Sequence, residues 1–256
     1  MRPRLWTREE TLAAFHLYCR TPFGRLHANN PEIIDLAQRL GRTANSVAMK
    51  CCNLASFDLA LQQRGIRGLQ SASQLDRQIW AEFDQRPERI AYEAIELFAG
   101  FTGKPIELEE EVVWEPIAGL ERSAITKIRV NQRFFRTMIL VGYGSRCAVC
   151  LLPIPSLLVA SHIVPWSIDP DQRMNPRNGL CLCSLHDKAF DTGYMVIDDD
   201  LTVRFTDKLA RHLGQEAVQR GLTHYEGRGL LLPERWHPSR DLLARHRELH
   251  RSTPSL

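Results

Sequence analysis

The sequence lacks any long hydrophobic segment. None of its apolar runs approaches the roughly 18 residues that a helix needs to cross a bilayer. The first residues, Met1-Arg2-Pro3-Arg4, do not open the apolar stretch of a secretory signal. We therefore expect no membrane partner and a cytoplasmic location.

The sequence also lacks internal repeats, low-complexity tracts and a large excess of one charge. Its 33 basic and 30 acidic residues give a net charge of +3. This balance permits nucleic-acid binding without requiring it, because the distribution of charge matters more than its sum. A hydrophobic content of 44% in 256 residues predicts a globular protein with one large or two modest domains.

Cysteine is present in an odd number, seven, and its spacing is uneven. Two cysteines are adjacent at positions 51 and 52, and four more fall between positions 147 and 183. Without a secretory signal, this pattern favours metal binding over a disulfide framework.

The first 57 residues predict three helices. Thr7 and Glu10 form a capping box at the first, and Asn30-Pro31 begins the second. Gly41 can end the second helix in a left-handed conformation, and Thr43 begins the third. Three such helices resemble a helix-turn-helix of the Myb/SANT kind.

In that interpretation the third helix would contact DNA through its polar face, with Asn45, Lys50 and Asn53 as candidates. The alternative is a helical packing module whose polar face is only solvated.

A further helical stretch, residues 71–99, is interrupted near Pro87. Periodicity then fails, and an acidic run occupies 107–111. We therefore predict a helical domain over 1–100, a linker over 101–121 and a second domain over 122–256.

Helical periodicity returns over residues 126–141. Arg129, Arg133 and Arg136 form a basic stripe on that helix. The stripe is a candidate surface for DNA phosphates, although a solvated helix face also explains it.

The most informative segment begins with Cys147-Ala-Val-Cys150. A β-prone run follows and ends in Ser161-His162; residues 166–177 form a polar loop, and residues 180–182 predict a second strand. A short helix then extends from a predicted Ser184 cap to a stop at Gly193, and a hairpin is predicted beyond it.

The motifs A-S-H-I-x-P-W, N-G-L and H-D-x-A-F-D-x-G in this order resemble the HNH endonucleases of the ββα-metal class. The resemblance covers residues 147–195. It implies an α+β, mainly α protein in which a helical, helix-turn-helix-like domain precedes an HNH nuclease domain.

The resemblance assigns His162 as the general base, and neutral imidazole suits that task near pH 7. It also assigns Asn178 to the second strand, where the family's Asn holds the imidazole ring. The alternative for His162 is a hydrogen-bonded core histidine at a strand end.

The resemblance places the catalytic ion, Mg²⁺ or Mn²⁺, on Asp187 and Asp191, nine and thirteen residues after Asn178. Residues four apart share one helical face. Many relatives carry Asp or His immediately before the base, where this chain has Ser161, which shifts metal binding onto the helix. Asp187 could instead complete a capping box with Ser184.

A structural zinc site is predicted from Cys147, Cys150, Cys183 and His186, since Cys₃His is a familiar tetrahedral set. The alternatives are that these cysteines are simply buried, or that His186 binds the catalytic ion and Cys181 becomes the fourth zinc ligand.

We expect a metal-dependent endonuclease that cuts double-stranded DNA in restriction or phage defence. Cleavage of both strands would suit a homodimer. Two alternatives remain: a zinc-stabilised DNA-binding protein without catalysis, and an HNH nuclease acting on RNA or on structured DNA in repair.

Overall fold

The computed structural model describes residues 4–66, 72–106 and 122–251, with the side chains of 122–127 left aside. The chain divides into two compact units, residues 1–141 and 142–256. Most of the predicted linker, 107–121, lies outside the described residues. The predicted domain limits stay a prediction, because compact packing does not show which segment folds independently.

The first unit is helical throughout its described part. Its helices are α1 Arg8–Arg20, α2 Pro31–Leu40, α3 Ala44–Ala55, α4 Leu59–Gln63, α5 Gln74–Gln85, α6 Pro87–Thr102 and α7 Arg122–Gly142, the last of which ends one residue beyond the unit.

The predicted helix ends are confirmed. The hydroxyl of Thr7 accepts a bond from the backbone of Glu10, whose carboxylate accepts one from the Thr7 backbone. Asn30 caps α2, and Gly41 ends it at φ +61°. These local signals therefore fix where the first helices start and stop.

The core of the first unit is built around α1. Phe15 packs edge-on against Phe83 with ring centroids 4.9 Å apart. On the neighbouring turn, the His16 ring is stacked between Phe98 at 4.4 Å and Phe134 at 5.0 Å. Because α7 supplies Phe134, this helix packs on the first unit, although the sequence grouped it with the second domain.

The predicted exposure of Lys50 is wrong. Its side chain is 4% exposed, and its Nζ lies 2.6 Å from a carboxylate oxygen of the fully buried Asp76. Lys50 Nζ also lies 4.9 Å from the centre of the Trp6 ring. A lysine held in a buried ion pair cannot reach a phosphate, so Lys50 leaves the candidate DNA-contacting set.

The second unit contains two small antiparallel sheets and three helices among its described residues. The elements are β1 Leu158–His162, β2 Gly179–Cys183, α8 Ser184–Asp191, β3 Met195–Ile197, β4 Val203–Phe205, α9 Glu216–Gly221 and α10 Arg240–Leu249. β1 pairs with β2, and β3 pairs with β4.

These elements confirm the predicted order of strand, loop, strand and short helix, and the hairpin after it. Helix α8 packs against both strands of the first sheet and against β3. Together the two units confirm an α+β, mainly α fold.

No helix in the described parts of the chain is long and apolar enough to span a membrane.

We expect the substitution Lys50→Met to lower the free energy of unfolding by about 3–5 kcal/mol, because it leaves the Asp76 carboxylate buried without a cation. Urea unfolding followed by tryptophan fluorescence would measure the change. Asn45→Ala, at an exposed position of the same helix, should stay within about 0.5 kcal/mol of the wild type. A loss no larger than that of Asn45→Ala would contradict the buried ion pair.

Candidate active site and metal centre

The site is built on the β1–β2 hairpin. His162, the last residue of β1, pairs with Gly179, the first residue of β2, and Leu158 pairs with Cys183 at the other end. Helix α8 begins directly after Cys183. One end of the hairpin therefore presents His162, and the other leads into the helix that carries the predicted metal ligands.

The start of α8 differs from the sequence prediction. Cys183 occupies the N-cap position without a side-chain capping bond, whereas Ser184 was predicted there. The Ser184 hydroxyl instead donates to the carbonyl of Leu157 at 3.3 Å. Asp187 is therefore the fourth residue of the helix, one position too far for a capping box.

Four side chains converge at the end of the hairpin where β2 leads into α8. The ligand atoms of Cys147, Cys150, Cys183 and His186 all lie within 4.8 Å of one another. His186 Nδ1 is 3.1 Å from the sulfur of Cys183 and 3.6 Å from that of Cys147. Among the described residues, it is the only set of three or more potential ligands that is compact enough to hold a metal ion.

The distances suit zinc. A tetrahedral ion with zinc–sulfur bonds of about 2.3 Å places its sulfurs about 3.8 Å apart, and the sulfurs of Cys150 and Cys183 are 3.8 Å apart. Hydrogen bonds from Cys183 and His186 hold the pKa of Cys147 well below its ordinary value. Cys147 thus favours the thiolate, the form that binds metal.

Backbone bonds shape the turn that presents the first two cysteines. The amide of Leu151, at φ +63°, donates to the carbonyl of Cys147, and the amide of Cys147 donates to the carbonyl of Leu152. The amide of Ala148 donates to Cys181 on β2 at 2.7 Å. The turn is therefore hydrogen-bonded to the strand that ends at Cys183.

The side chain of Cys181 is fully buried and lies outside the ligand group.

His162 has a defined tautomer. Its Nε2 lies 3.0 Å from the carbonyl oxygen of Arg173. A carbonyl only accepts hydrogen bonds, so Nε2 carries the proton and Nδ1 holds the basic lone pair. Burial lowers the pKa of His162 below its ordinary value. A neutral imidazole with a basic Nδ1 can take a proton from water near neutral pH.

The predicted bond from Asn178 to the His162 ring is wrong. Asn178 precedes β2, and its side chain is hydrogen-bonded to backbone: it accepts from the Val164 amide at 2.9 Å and donates to the Val164 and Gln172 carbonyls at 3.0 and 3.2 Å. Asn178 thus fixes the loop between β1 and β2. The same loop carries the Arg173 carbonyl, the hydrogen-bond partner of His162.

Asp187 and Asp191 are one helical turn apart on α8. Burial and the charge of Asp187 raise the pKa of Asp191 to about 6. Burial also raises the pKa of Asp187, and the nearby Ser161 hydroxyl opposes that shift. Two half-buried carboxylates, one of which raises the pKa of the other, form a site that a cation would stabilise. One or two carboxylates completed by water are the usual protein ligands of Mg²⁺.

The candidate DNA-contacting residues lie in the first unit. Asn45 is exposed on α3, and Asn53 is half-buried. On α7, Arg129 is exposed and Arg133 and Arg136 are half-buried. The structure thus leaves these five polar side chains at least partly accessible and removes Lys50.

Sequence reasoning missed two contributors to the site. Arg173 acts through a backbone carbonyl, which no residue-type pattern reveals. The C-terminal helix α10, which has no recognisable motif, packs on the site. His246 Nε2 donates to the Phe190 carbonyl at 3.1 Å, and the two rings stack at 3.7 Å. The abundance of His and Arg near the C-terminus was the one available signal.

Residues 147–198 match the family model described as HNH endonuclease. The match confirms the resemblance to that family over this segment of the chain. The match suggests nuclease activity, and the HNH endonucleases as a family are metal-dependent enzymes that act on nucleic acids. No curated protein matches the chain.

We expect protein purified without added zinc to contain close to one zinc ion per chain, and we expect strong chelators to lower its melting temperature, because structural zinc contributes directly to folding. His186→Ala should lose both the zinc and the stability. Metal analysis and thermal unfolding would measure these effects.

Cys181→Ala is the matched control, because Cys181 is buried on the same strand as Cys183 but outside the ligand group. It should retain the zinc. A wild-type protein that contains no zinc and whose melting temperature is unchanged by chelators would contradict the assignment.

Proposed function

Because residues 147–198 match the HNH endonuclease family, we propose that the protein is a metal-dependent endonuclease that hydrolyses phosphodiester bonds in duplex DNA. We infer a role in restriction or phage defence. The observation that carries the proposal is that His162, whose Nδ1 is the basic nitrogen, ends strand β1, and that β1 packs against helix α8, which carries the pair of carboxylates.

His162 is the general base of the proposed reaction. Its Nδ1 removes a proton from the attacking water, and the imidazolium that forms keeps its Nε2 hydrogen bond to Arg173. A bond from a cation to a carbonyl is stronger than one from a neutral ring. The Arg173 carbonyl therefore both selects the reactive tautomer and stabilises the charged product of proton transfer.

Asp187 and Asp191 are the proposed ligands of the catalytic Mg²⁺ or Mn²⁺. When bound, such an ion neutralises charge on the scissile phosphate and on the departing oxygen. The Ser161 hydroxyl lies near Asp187, and Ser161 directly precedes His162 in β1. The base and the carboxylates are thus held on β1 and α8, two elements that pack against each other.

The Cys₃His group has a structural role in this proposal. It joins the turn at Cys147 and Cys150 to the N-terminus of α8 through Cys183 and His186. All four ligands come from the protein, which is typical of a structural zinc site, whereas a catalytic zinc keeps an open position.

Duplex DNA is the proposed substrate because the first unit presents candidate contacts of two kinds. Asn45 and Asn53 on α3 can meet base edges, and Arg129, Arg133 and Arg136 on α7 can meet phosphates. A homodimer would cut both strands, since each chain holds one candidate base.

We expect His162→Ala to slow nicking of supercoiled plasmid in Mg²⁺ or Mn²⁺ by about 10²–10⁴-fold, the usual contribution of a general base. DNA affinity and melting temperature should change little. His212→Ala, at an exposed position of the second unit, should cleave at the wild-type rate.

Wild-type rates in the His162→Ala protein would remove His162 from the mechanism. A wild-type protein that binds plasmid but never nicks it would favour the non-catalytic alternative. Faster cleavage of a single-stranded RNA than of plasmid would contradict duplex DNA as the substrate.

We expect Asp187→Asn to require a higher Mg²⁺ concentration for half-maximal cleavage and to lower the maximal rate, because the ion loses a charged ligand. The zinc content should stay at the wild-type level. Rates measured across a Mg²⁺ titration, with zinc analysis of the same samples, test both statements. Asp207→Asn, an exposed carboxylate in the same unit, is the control; equal metal dependence in the two variants would contradict the assignment.

A further inference from the structure

The loop between β1 and β2 carries the hydrogen-bond acceptor of His162, the carbonyl oxygen of Arg173. A short 3₁₀ turn, Pro170–Gln172, lies in its middle. Asp169 occupies the N-cap position of that turn and Arg173 the C-cap position. Asp169 and Arg173, whose carbonyl binds His162, therefore lie at the two ends of one short turn.

The C-terminal helix holds the Asp169 end. Arg245 of α10 donates from Nη1 to a carboxylate oxygen of Asp169 at 2.5 Å. Asn178 holds the turn at a second point, through its bond to the Gln172 carbonyl. The guanidinium of Arg173 stacks over the Trp166 ring at 4.6 Å and braces the same loop.

From this geometry we propose that Arg245 is a positioning residue for the nuclease reaction: its ion pair with Asp169 holds the loop so that the Arg173 carbonyl keeps His162 in the tautomer with Nδ1 basic. The inference rests on the proposed role of His162 as the general base. It gives the C-terminal helix, which carries no recognisable motif, a function at the active site.

The exposure of the Arg245–Asp169 ion pair allows its effect on the active site to be measured separately from its effect on folding stability. The Arg245 side chain is 41% exposed and that of Asp169 is 22% exposed. Ion pairs this accessible contribute at most about 1 kcal/mol to folding. Loss of the pair should therefore leave the fold intact, while a misplacement of about 1 Å in a reacting group can reduce the rate by about 10²-fold.

Helix α10 also supplies a matched control. Arg247 lies two residues from Arg245 and makes bonds of the same kind, donating to the Ile197 carbonyl at 2.6 Å and pairing with Asp199. These partners belong to the β3–β4 hairpin and the turn within it, and not to the loop that carries Arg173. Arg247→Gln removes a comparable ion pair without touching that loop.

The test compares Arg245→Gln with Arg247→Gln in the full-length protein. The ¹⁵N spectrum of the histidine rings at pH 8 distinguishes the two neutral tautomers, and His162→Gln identifies the signal of His162. We expect the wild type and Arg247→Gln to show the Nε2–H form. Arg245→Gln should show a mixture with the Nδ1–H form.

Kinetics on plasmid DNA provide the second measurement. Arg245→Gln should lower kcat by about 10-fold to about 100-fold, with KM and melting temperature close to the wild-type values. The reversed pair Arg245→Glu with Asp169→Arg should recover most of the lost rate and the wild-type tautomer.

An unchanged tautomer in Arg245→Gln would overturn the proposal, and so would equal losses in Arg245→Gln and Arg247→Gln, which would indicate a general effect of α10 on stability. The ring spectrum requires no cleavage. If the wild type proved inactive on every nucleic acid, the proposed function would fail while the tautomer shift still tested the positioning role of Arg245.

Discussion

The geometry of the site depends on two adjacent residues of α8 pointing in different directions. Successive side chains of an α-helix are about 100° apart around its axis, so His186 and Asp187 cannot serve the same ion easily. His186 turns towards the sulfurs of Cys147 and Cys183, and Asp187 turns towards Ser161 on β1. One short helix can therefore join a structural ligand group to a catalytic one.

The loop between the two strands depends on backbone contacts more than on side-chain chemistry. His162 gains its tautomer from the Arg173 carbonyl, and Asn178 fixes the loop through the backbone of Val164 and Gln172. Helix α10 contacts the site at two points. Arg245 pairs with Asp169 in the loop, and His246 donates to the carbonyl of Phe190 near the end of α8. The reactive imidazole is thus oriented by elements distant from it in sequence.

Features set by residues close together in the sequence were predictable, and contacts between distant segments were not. The Thr7 capping box, the ββα order and the convergence of Cys183 and His186 on the cysteine turn follow from residue types and spacing. The burial of Lys50 does not, because its partner Asp76 belongs to another helix, and a polar residue on a helix normally indicates solvent. The hydrogen-bond partners of Asn178 could not be predicted either, because every residue has a backbone carbonyl and residue type does not show which one is used.

A crystal grown with Mn²⁺ would show whether α8 divides its ligands between two ions. Anomalous maps collected at the zinc and manganese edges would locate each ion separately. We expect zinc among Cys147, Cys150, Cys183 and His186, and manganese on Asp187 with Asp191 beside it. Manganese bound to His186, with Asp187 directed to solvent, would overturn this division of the ligands.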